Sequence, residues 1–233
     1  MQEKPLQIRV LSAGAIEPGL VEATQTFARQ QQYEVQIYWA TTPVIRQRIA
    51  GGHVADVLVI PPAAFDEFVA AGTVPAGSSV YVGRVGVGIG VRDGGPMPDI
   101  STADALMQSL LDAESIVMNR ASSGLYMEQL LERMGVKAAI EHKIVRYSDG
   151  PRMLQHLLDG KGREFGFCAS IEIMQYRKKG LLLAGLLPEA IQNYTTYVAA
   201  PMTAAPNAEG AKSLLAYLAT PRSRAIFKQH GIE

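Results

Sequence analysis

The chain has 233 residues, of which 48% are hydrophobic and 19% are charged. This composition is typical of a packed globular protein and excludes an intrinsically disordered chain. The 22 basic residues balance the 22 acidic ones and no basic run occurs, so there is no reason to expect a nucleic-acid partner. No apolar stretch approaches the roughly 18 residues that suggest a membrane-spanning helix.

The first residues and the cysteine count bear on the compartment. Met1 to Pro5 contain no apolar signal core. The protein is therefore expected to be periplasmic if a signal peptide has been removed, and cytoplasmic otherwise. The single cysteine, Cys168, excludes an internal disulfide. It lies in the apolar run 165–169, which predicts a buried and unreactive thiol.

Strand-like apolar runs alternate with helical patterns up to Gly72. The second helix opens at Thr42-Pro43 and closes at Gly51-Gly52, a pairing of start and stop signals. The alternation predicts a mainly parallel sheet flanked by helices. The predicted strands are 8–11, 35–39 and 57–61, and the predicted helices are 18–31, 42–50 and 63–71.

The segment 83–91 interrupts this rhythm, because glycines alternate in it with valine and isoleucine. A dinucleotide-binding loop requires a tight turn into a helix. Here a turn at Asp93-Gly94-Gly95-Pro96 follows instead, so the segment is interpreted as a strand. One face of this strand has no side chains, which predicts close packing against that face.

A second α/β set follows. The segment 183–198 is interpreted as a long connection, and two C-terminal helices begin near Asn207 and at Thr220-Pro221. The fold class is therefore α/β. The predicted strands of this set are 115–118, 143–145 and 164–169, and the predicted helices are 102–111, 124–134 and 151–158.

Small hydroxyl or glycine residues follow several predicted strands and precede helices. Such turns lie at the carboxyl edge of a parallel sheet, where ligands bind. Helix N-termini offer free N–H groups and a partial positive charge, so they attract anions. The turns are Ser12-Ala13-Gly14-Ala15, Thr41-Thr42, Ser122-Ser123-Gly124 and Ser148-Asp149-Gly150, of which the last carries a carboxylate.

The sequence contains no motif for metal binding, for a phosphate-binding P-loop or for a hydrolase nucleophile. The four histidines show no metal-ligand spacing, and neither a P-loop nor a G-x-S-x-G elbow occurs. We therefore expect no metal site and no cofactor.

The sequence resembles the molybdate-binding-protein-like branch of type II periplasmic solute-binding proteins. The resemblance runs over nearly the whole chain and depends on the order and spacing of short strings. These are Leu11–Ala15, Gly52–Val57, Val85–Arg92 with Pro98–Ile100, Ser122–Tyr126, Leu131–Val136 and Leu187–Glu189.

This resemblance implies two α/β lobes, each a mainly parallel sheet flanked by helices, with the ligand in the cleft between them. The expected lobes are 1–82 with 199–233, and 83–198 including the crossing strands. The implied partners are a small anionic ligand and the membrane permease of an ABC importer, and the protein is expected to be a monomer. The expected ligand-binding residues are Ser12, Gly14, Ala15, Thr41, Thr42, Arg84, Ser122, Ser123 and Ser170.

The first turn departs from the pattern of molybdate binders, which carry a pair of serines there, because Ser12 stands alone. The same branch is also similar to bacterial aconitate isomerase, which binds a tricarboxylate. Under that alternative the site needs cations, for which Arg84 and Arg120 are the candidates. It also needs a proton-transfer group, and the candidates for it are Tyr194, Tyr197, Ser170 and Glu172.

Three functions remain open. The leading hypothesis is a transport-type anion-binding protein without catalysis. The second is an isomerase that moves a proton on an unsaturated carboxylate such as aconitate. The third is the ligand-sensing domain of a transcriptional regulator, which ranks last because no DNA-binding helices precede the fold.

Overall fold

The computed structural model describes residues 6–120 and 122–233, so the interpretation of Met1 to Pro5 lies outside the described residues. The chain forms two compact units. Unit 1 comprises residues 6–84 and 195–233, and unit 2 comprises residues 85–194. The chain leaves unit 1 inside the strand Val80–Arg92 and returns inside the strand Tyr194–Pro201.

Unit 1 begins with three parallel strands, each followed by helical structure, as the apolar periodicity predicts. Strand β1 pairs with β2 on one side and with β3 on the other. Thr41, and not Thr42, occupies the N-cap position of the second helix, and its side chain makes no capping hydrogen bond. The elements are β1 (Leu6–Ala13), α1 (Glu17–Gln31), β2 (Tyr33–Ala40), α2 (Thr42–Ala50), β3 (Val57–Ile60) and α3 (Pro62–Ala70).

The glycine-alternating segment is a strand, β4 (Val80–Arg92), which confirms its interpretation and excludes a nucleotide loop. Its glycine face is covered by the protein itself. A Cβ at Gly88 would lie 2.8 Å from Ser170 Cα, and a Cβ at Gly90 would lie 3.3 Å from Ile173 Cγ1. Gly86 lies against the side chains of Gln192 and Tyr194. The missing side chains thus make room for other parts of the chain.

Unit 2 contains the second α/β set. Each predicted strand and helix is confirmed, with bounds shifted by a few residues. Two short helices, α6 and α8, were not predicted. The elements are α4 (Ala103–Leu111), β5 (Ser115–Asn119), α5 (Ser122–Arg133), α6 (Lys137–Ile140), β6 (Ile144–Tyr147), α7 (Gly150–Asp159), β7 (Glu164–Ala169), α8 (Ser170–Gln175) and β8 (Leu181–Leu186).

The prediction of a long connection over 183–198 is wrong. Strand β8 pairs antiparallel with β4, and a second strand, β9 (Tyr194–Pro201), begins shortly after Pro188. The segment lacks regular alternation because its residues are mostly half-buried. Its strand pairing depends on partners more than 90 residues away in sequence, so local patterning alone could not reveal it.

The central strands of unit 2 are buried on both faces. Strand β5 pairs in parallel with β6 and β7, and β7 pairs antiparallel with β4. Ile116 and Met118 of β5 belong to one apolar cluster, whereas Val117 between them packs with Met153 and Cys168 in another. Helices therefore cover both faces of this sheet, as parallel strands require. Cys168 is buried, as predicted.

The C-terminal segment completes unit 1. Strand β9 pairs antiparallel with β3, and helices α9 (Ala208–Leu218) and α10 (Pro221–Gln229) follow, with Asn207 capping α9 and the predicted cap Thr220 on α10. Asp56 has no exposed surface and joins these parts. Its carboxylate accepts hydrogen bonds from the main-chain N–H groups of Arg9 and Asn207, both at 2.6 Å. No helix in the described part of the chain is long and apolar enough to cross a membrane.

The packing on β4 predicts unequal effects of two matched substitutions. Gly88→Ala should lower the free energy of unfolding by about 1–3 kcal/mol, because the added methyl group overlaps the main chain of α8. Gly90→Ala should cost much less, because it meets only the side chain of Ile173 at van der Waals distance. Urea unfolding of both variants measures the difference, and equal effects would contradict the described packing.

Candidate functional site

The carboxyl edge of the unit 1 sheet gathers the first two predicted turns. Ala13 and Ala40 are partners in the parallel register of β1 and β2, so Gly14 and Thr41 follow at the same edge. Gly14 is exposed, and a Cβ there would meet no other atom within 4 Å. Ala15 and Thr42 are half-buried, and Thr41 is exposed. Four of the expected ligand-binding residues thus belong to one edge and retain exposed surface.

Ser12 differs from these four residues. It has no exposed surface, and its hydroxyl donates a hydrogen bond to the main-chain oxygen of Ala13 at 3.0 Å. It pairs with Trp39 on one side and Val59 on the other, inside the sheet. Its role as a ligand-binding residue stays a prediction, and the hydroxyl would have to leave Ala13 to fulfil it.

The helices of the chain differ in how their N-termini are capped. No side chain caps the 3-10 turn Gly14–Ile16, α2 or α3, which follow the three parallel strands of unit 1. By contrast, α4, α9 and α10 are capped by the side chains of Thr102, Asn207 and Thr220. Uncapped first-turn N–H groups need another acceptor. The unit 1 edge therefore offers main-chain donors that an anion can use.

In unit 2, the turn after β5 is very tight. A Cβ at Gly124 would overlap the main-chain oxygen of Asn119, so only glycine fits at this point. Ser122 is exposed, whereas Ser123 is buried with its Oγ 3.5 Å from Asn119 Oδ1. Asn119 is itself buried and pairs in register with Tyr147 of β6. The first turn of α5 is thereby packed onto the end of the central strand.

The turn after β6 already contains an acid. Asp149 caps α7 by accepting a hydrogen bond from the Arg152 N–H group at 3.0 Å, and the Ser148 hydroxyl donates to it at 2.7 Å. The hydrogen bond from Arg152 is the main reason that the pKa of Asp149 lies below its usual value. This turn therefore presents a negative charge where the unit 1 turns present open donors.

Ser170 and Glu172 lie on α8, at the end of β7. Ser170 is buried against Gly88 of β4, which leaves little of its surface for a ligand. The Glu172 carboxylate contacts Gly150, the first residue of α7, and the Asn119 side-chain amide lies beside the same point. Glu172 and Asn119 therefore both lie close to Gly150, at the carboxyl edge of the unit 2 strands.

The Glu172 carboxyl is held in a weakly polar environment. Burial raises its pKa above the usual value, and a hydrogen bond with the Cys168 thiol opposes this shift. Among the described residues, no Lys, Arg or His forms an ion pair with it. Burial also raises the pKa of Cys168 well above its usual value, in keeping with an unreactive thiol.

Arg84 has a partner within unit 1. Its guanidinium Nη2 lies 2.8 Å from Glu233 Oε2, and the main chains of the two residues exchange hydrogen bonds of 2.7 and 3.0 Å. Both side chains are about half exposed, so the pair contributes little to stability. The role of Arg84 as a carboxylate anchor stays a prediction. Arg120 is exposed at the end of β5.

Two residues of the unit 2 edge were not singled out by the sequence reasoning as binding residues. Asn119 ends an apolar strand, and a polar side chain in that position was a usable signal. Glu172 was one of several candidates for the proton-transfer group, and only its contacts in the folded structure distinguish it from the other candidates. Across residues 6–120 and 122–233, no three His, Cys, Asp or Glu side chains gather in a way that could hold a metal ion.

These two units, each with helix N-termini at the carboxyl ends of the parallel strands of a mixed sheet, have the fold of two-lobed type II periplasmic binding proteins. The chain belongs to the bacterial extracellular solute-binding protein family, whose model matches residues 8–233. The resemblance to the molybdate-binding-like branch is thereby confirmed.

Among the solved structures that it resembles is the substrate-binding domain of a putative molybdenum ABC transporter from Clostridium difficile, with a TM-score of 0.80, 14% identity and 98% of each chain covered. The periplasmic molybdate-binding protein of Azotobacter vinelandii gives a TM-score of 0.72 and 17% identity over 97% of this chain and 98% of that one. At such identities the likeness shows the fold alone.

A curated relative is closer in sequence. The chain is 28% identical over 232 residues to aconitate isomerase from a Pseudomonas species, covering 97% of this chain and 87% of that protein.

The raised pKa of Glu172 predicts a pH-dependent stability difference. The folded-state pKa lies above the ordinary value of 4.5, so the favourable contribution of this group is complete below that pH and is lost as the pH rises through the folded-state pKa. Glu172→Gln should therefore gain stability relative to the unmodified protein between pH 4.5 and 7.5. Urea unfolding at both pH values measures the difference.

The control for the charge change is Glu34→Gln, since Glu34 is exposed on β2. A difference between Glu172→Gln and the unmodified protein that is the same at both pH values would show that the carboxyl is not held in its neutral form.

Proposed function

We propose that this protein is the solute-binding component of an ABC-type importer and that it binds a small anion. The observation that carries the proposal is the absence of side-chain caps at the carboxyl edge of unit 1, where the helices after β1 and β2 leave their first N–H groups open. Helix N-termini of this kind bind anions through oriented N–H groups and the helix dipole.

Hydroxyl groups at helix starts within each unit support the same proposal. Thr41 and Thr42 stand at the start of α2, and the exposed Ser122 stands at the start of α5 in unit 2. Hydroxyl groups and main-chain N–H groups hold an anion without a formal countercharge. The location of the ligand in a cleft between two lobes, which the family resemblance implies, stays a prediction.

The compartment and the partners follow from the family. Its members are extracellular solute-binding proteins, which supports a periplasmic location and a membrane permease as partner. Solved relatives are described as molybdate-binding and sulfate-binding proteins. These descriptions support a small anion as the ligand class, and the monomeric state remains an expectation.

A thermal-shift screen tests anion binding directly. Ligands that bind only the folded state raise the melting temperature. The screen should contain molybdate, tungstate, sulfate, phosphate and di- and tricarboxylates, with neutral sugars and amines as the comparison group. At least one anion should raise the melting temperature, whereas a shift with sugars or amines alone would exclude the anion site.

A substitution at the α2 cap tests the location. Thr41→Asp places a carboxylate at the N-cap of α2, the position that Asp149 occupies on α7. This carboxylate should accept hydrogen bonds from the first N–H groups of α2 and repel an anion. We expect at least a tenfold loss of affinity for the anion that gives the largest thermal shift, measured by titration calorimetry, with no loss of folding stability.

The matched control is Thr102→Asp, which makes the same charge change at the already capped α4. Its affinity for the anion should equal that of the unmodified protein. An unchanged anion affinity in Thr41→Asp would show that the N-terminus of α2 does not contribute to the site.

A second candidate function is isomerisation of an unsaturated tricarboxylate. Two observations favour it: the 28% identity to aconitate isomerase over nearly the whole chain, and the Glu172 carboxyl, whose pKa is raised by burial. Moving the double bond requires a base that removes a proton from one carbon and an acid that returns a proton to another. A carboxyl whose pKa is raised by burial can both remove and return a proton.

Incubation with cis-aconitate separates the two functions. If the protein is an isomerase, trans-aconitate should accumulate, as followed by proton NMR, and Glu172→Gln should reduce the rate by about a hundredfold or more. Glu34→Gln should retain the full rate. Binding of cis-aconitate without conversion would leave the transport function as the sole proposal.

A further inference from the structure

We infer that Glu172 determines the ligand class of the unit 2 edge: it favours anions that carry their own hydrogen-bond donor over fully ionised oxyanions. Hydroxy acids, hydrogen carboxylates and hydrogen phosphate have such a donor, whereas sulfate and molybdate do not. This inference depends on the proposed anion site, and it adds a residue that the uncapped helix N-termini do not identify.

The position of Glu172 supports this role. Its carboxylate contacts Gly150 at the start of α7, so close that a Cβ there would overlap it. The Asn119 amide nitrogen lies 3.9 Å from the same point, at the end of β5. The acid thus stands where the ends of three neighbouring strands and the first residues of α7 and α8 come together, which is where ligands of parallel sheets bind.

The acid is also fixed in place. Helix α8 lies on the glycine face of β4, where Gly88 and Gly90 admit Ser170 and Ile173. Both of these α8 residues are buried, so the helix that carries Glu172 is anchored on either side of it. The packing of the helix therefore fixes the position from which the Glu172 carboxyl extends.

The carboxyl has no compensating charge. Among the described residues, no basic side chain forms an ion pair with it. Like charges in a partly desolvated site repel strongly. A fully ionised oxyanion offers only acceptors, so it is compatible only with protonated Glu172. An anion with a donor is compatible with both forms, because it can donate to the carboxylate.

Titration calorimetry with the full chain at pH 7.5 and constant ionic strength tests this inference. The probes without a donor are sulfate and molybdate, and the probes with a donor are hydrogen phosphate, malate and citrate. The unmodified protein should bind at least one donor-bearing probe tenfold or more tightly than sulfate. Comparing hydrogen phosphate with malate and citrate shows whether an inorganic or an organic anion supplies the hydrogen-bond donor.

The decisive variant is Glu172→Gln, which keeps the size of the side chain and removes the charge. Its affinity for sulfate should rise at least tenfold, so that the preference for donor-bearing probes disappears, whereas Glu34→Gln should retain the original preference. Glu172→Ala serves as a second variant, and circular dichroism verifies that each variant is folded.

Three results would overturn the inference. The first is sulfate or molybdate binding to the unmodified protein as tightly as the best donor-bearing probe. The second is an unchanged preference in both folded Glu172 variants, which would leave the anion site intact and remove Glu172 from it. The third is no binding of any probe, which would overturn the proposed anion-binding function as well.

Discussion

The close packing of α8 on the glycine face of β4 determines where the acid of unit 2 lies. Gly88 brings the main chain of Ser170 to within van der Waals distance of a strand, which no residue with a side chain would allow. Because α8 is only six residues long, its position depends on these contacts more than on intrinsic helix stability. The location of the Glu172 carboxyl is therefore a consequence of the alternation of glycine with valine and isoleucine in β4.

The two units present different chemistry at comparable strand ends. In unit 1, uncapped helix N-termini and hydroxyl groups offer donors. In unit 2, Asp149 satisfies the first turn of α7 and Glu172 adds a second carboxyl nearby. The unit 1 edge thus supports the proposed anion binding, whereas the unit 2 edge carries two acids. This combination fits an organic acid or a hydrogen phosphate better than a fully ionised oxyanion.

The known proteins that resemble this chain also differ in what they are described as binding or converting. A solved molybdate-binding protein and a solved sulfate-binding protein share the fold at 16–17% identity, a likeness that shows the fold alone. The aconitate isomerase is closer in sequence, at 28% identity over nearly the whole chain. The fold establishes the protein class, and the residues at the strand ends decide the ligand.

Local patterns in the sequence determined the fold class, nearly every strand and helix, the cap Thr220, and the buried state of Cys168, because apolar periodicity and capping act over a few residues. Only the tertiary structure decided which parts meet across long sequence separations. These are the pairing of β8 with β4, the hydrogen bond between Asp56 and Asn207, the ion pair between Arg84 and Glu233, and the contact of Glu172 with Gly150. These contacts depend on how the sheets are assembled, and no short-range pattern encodes that assembly.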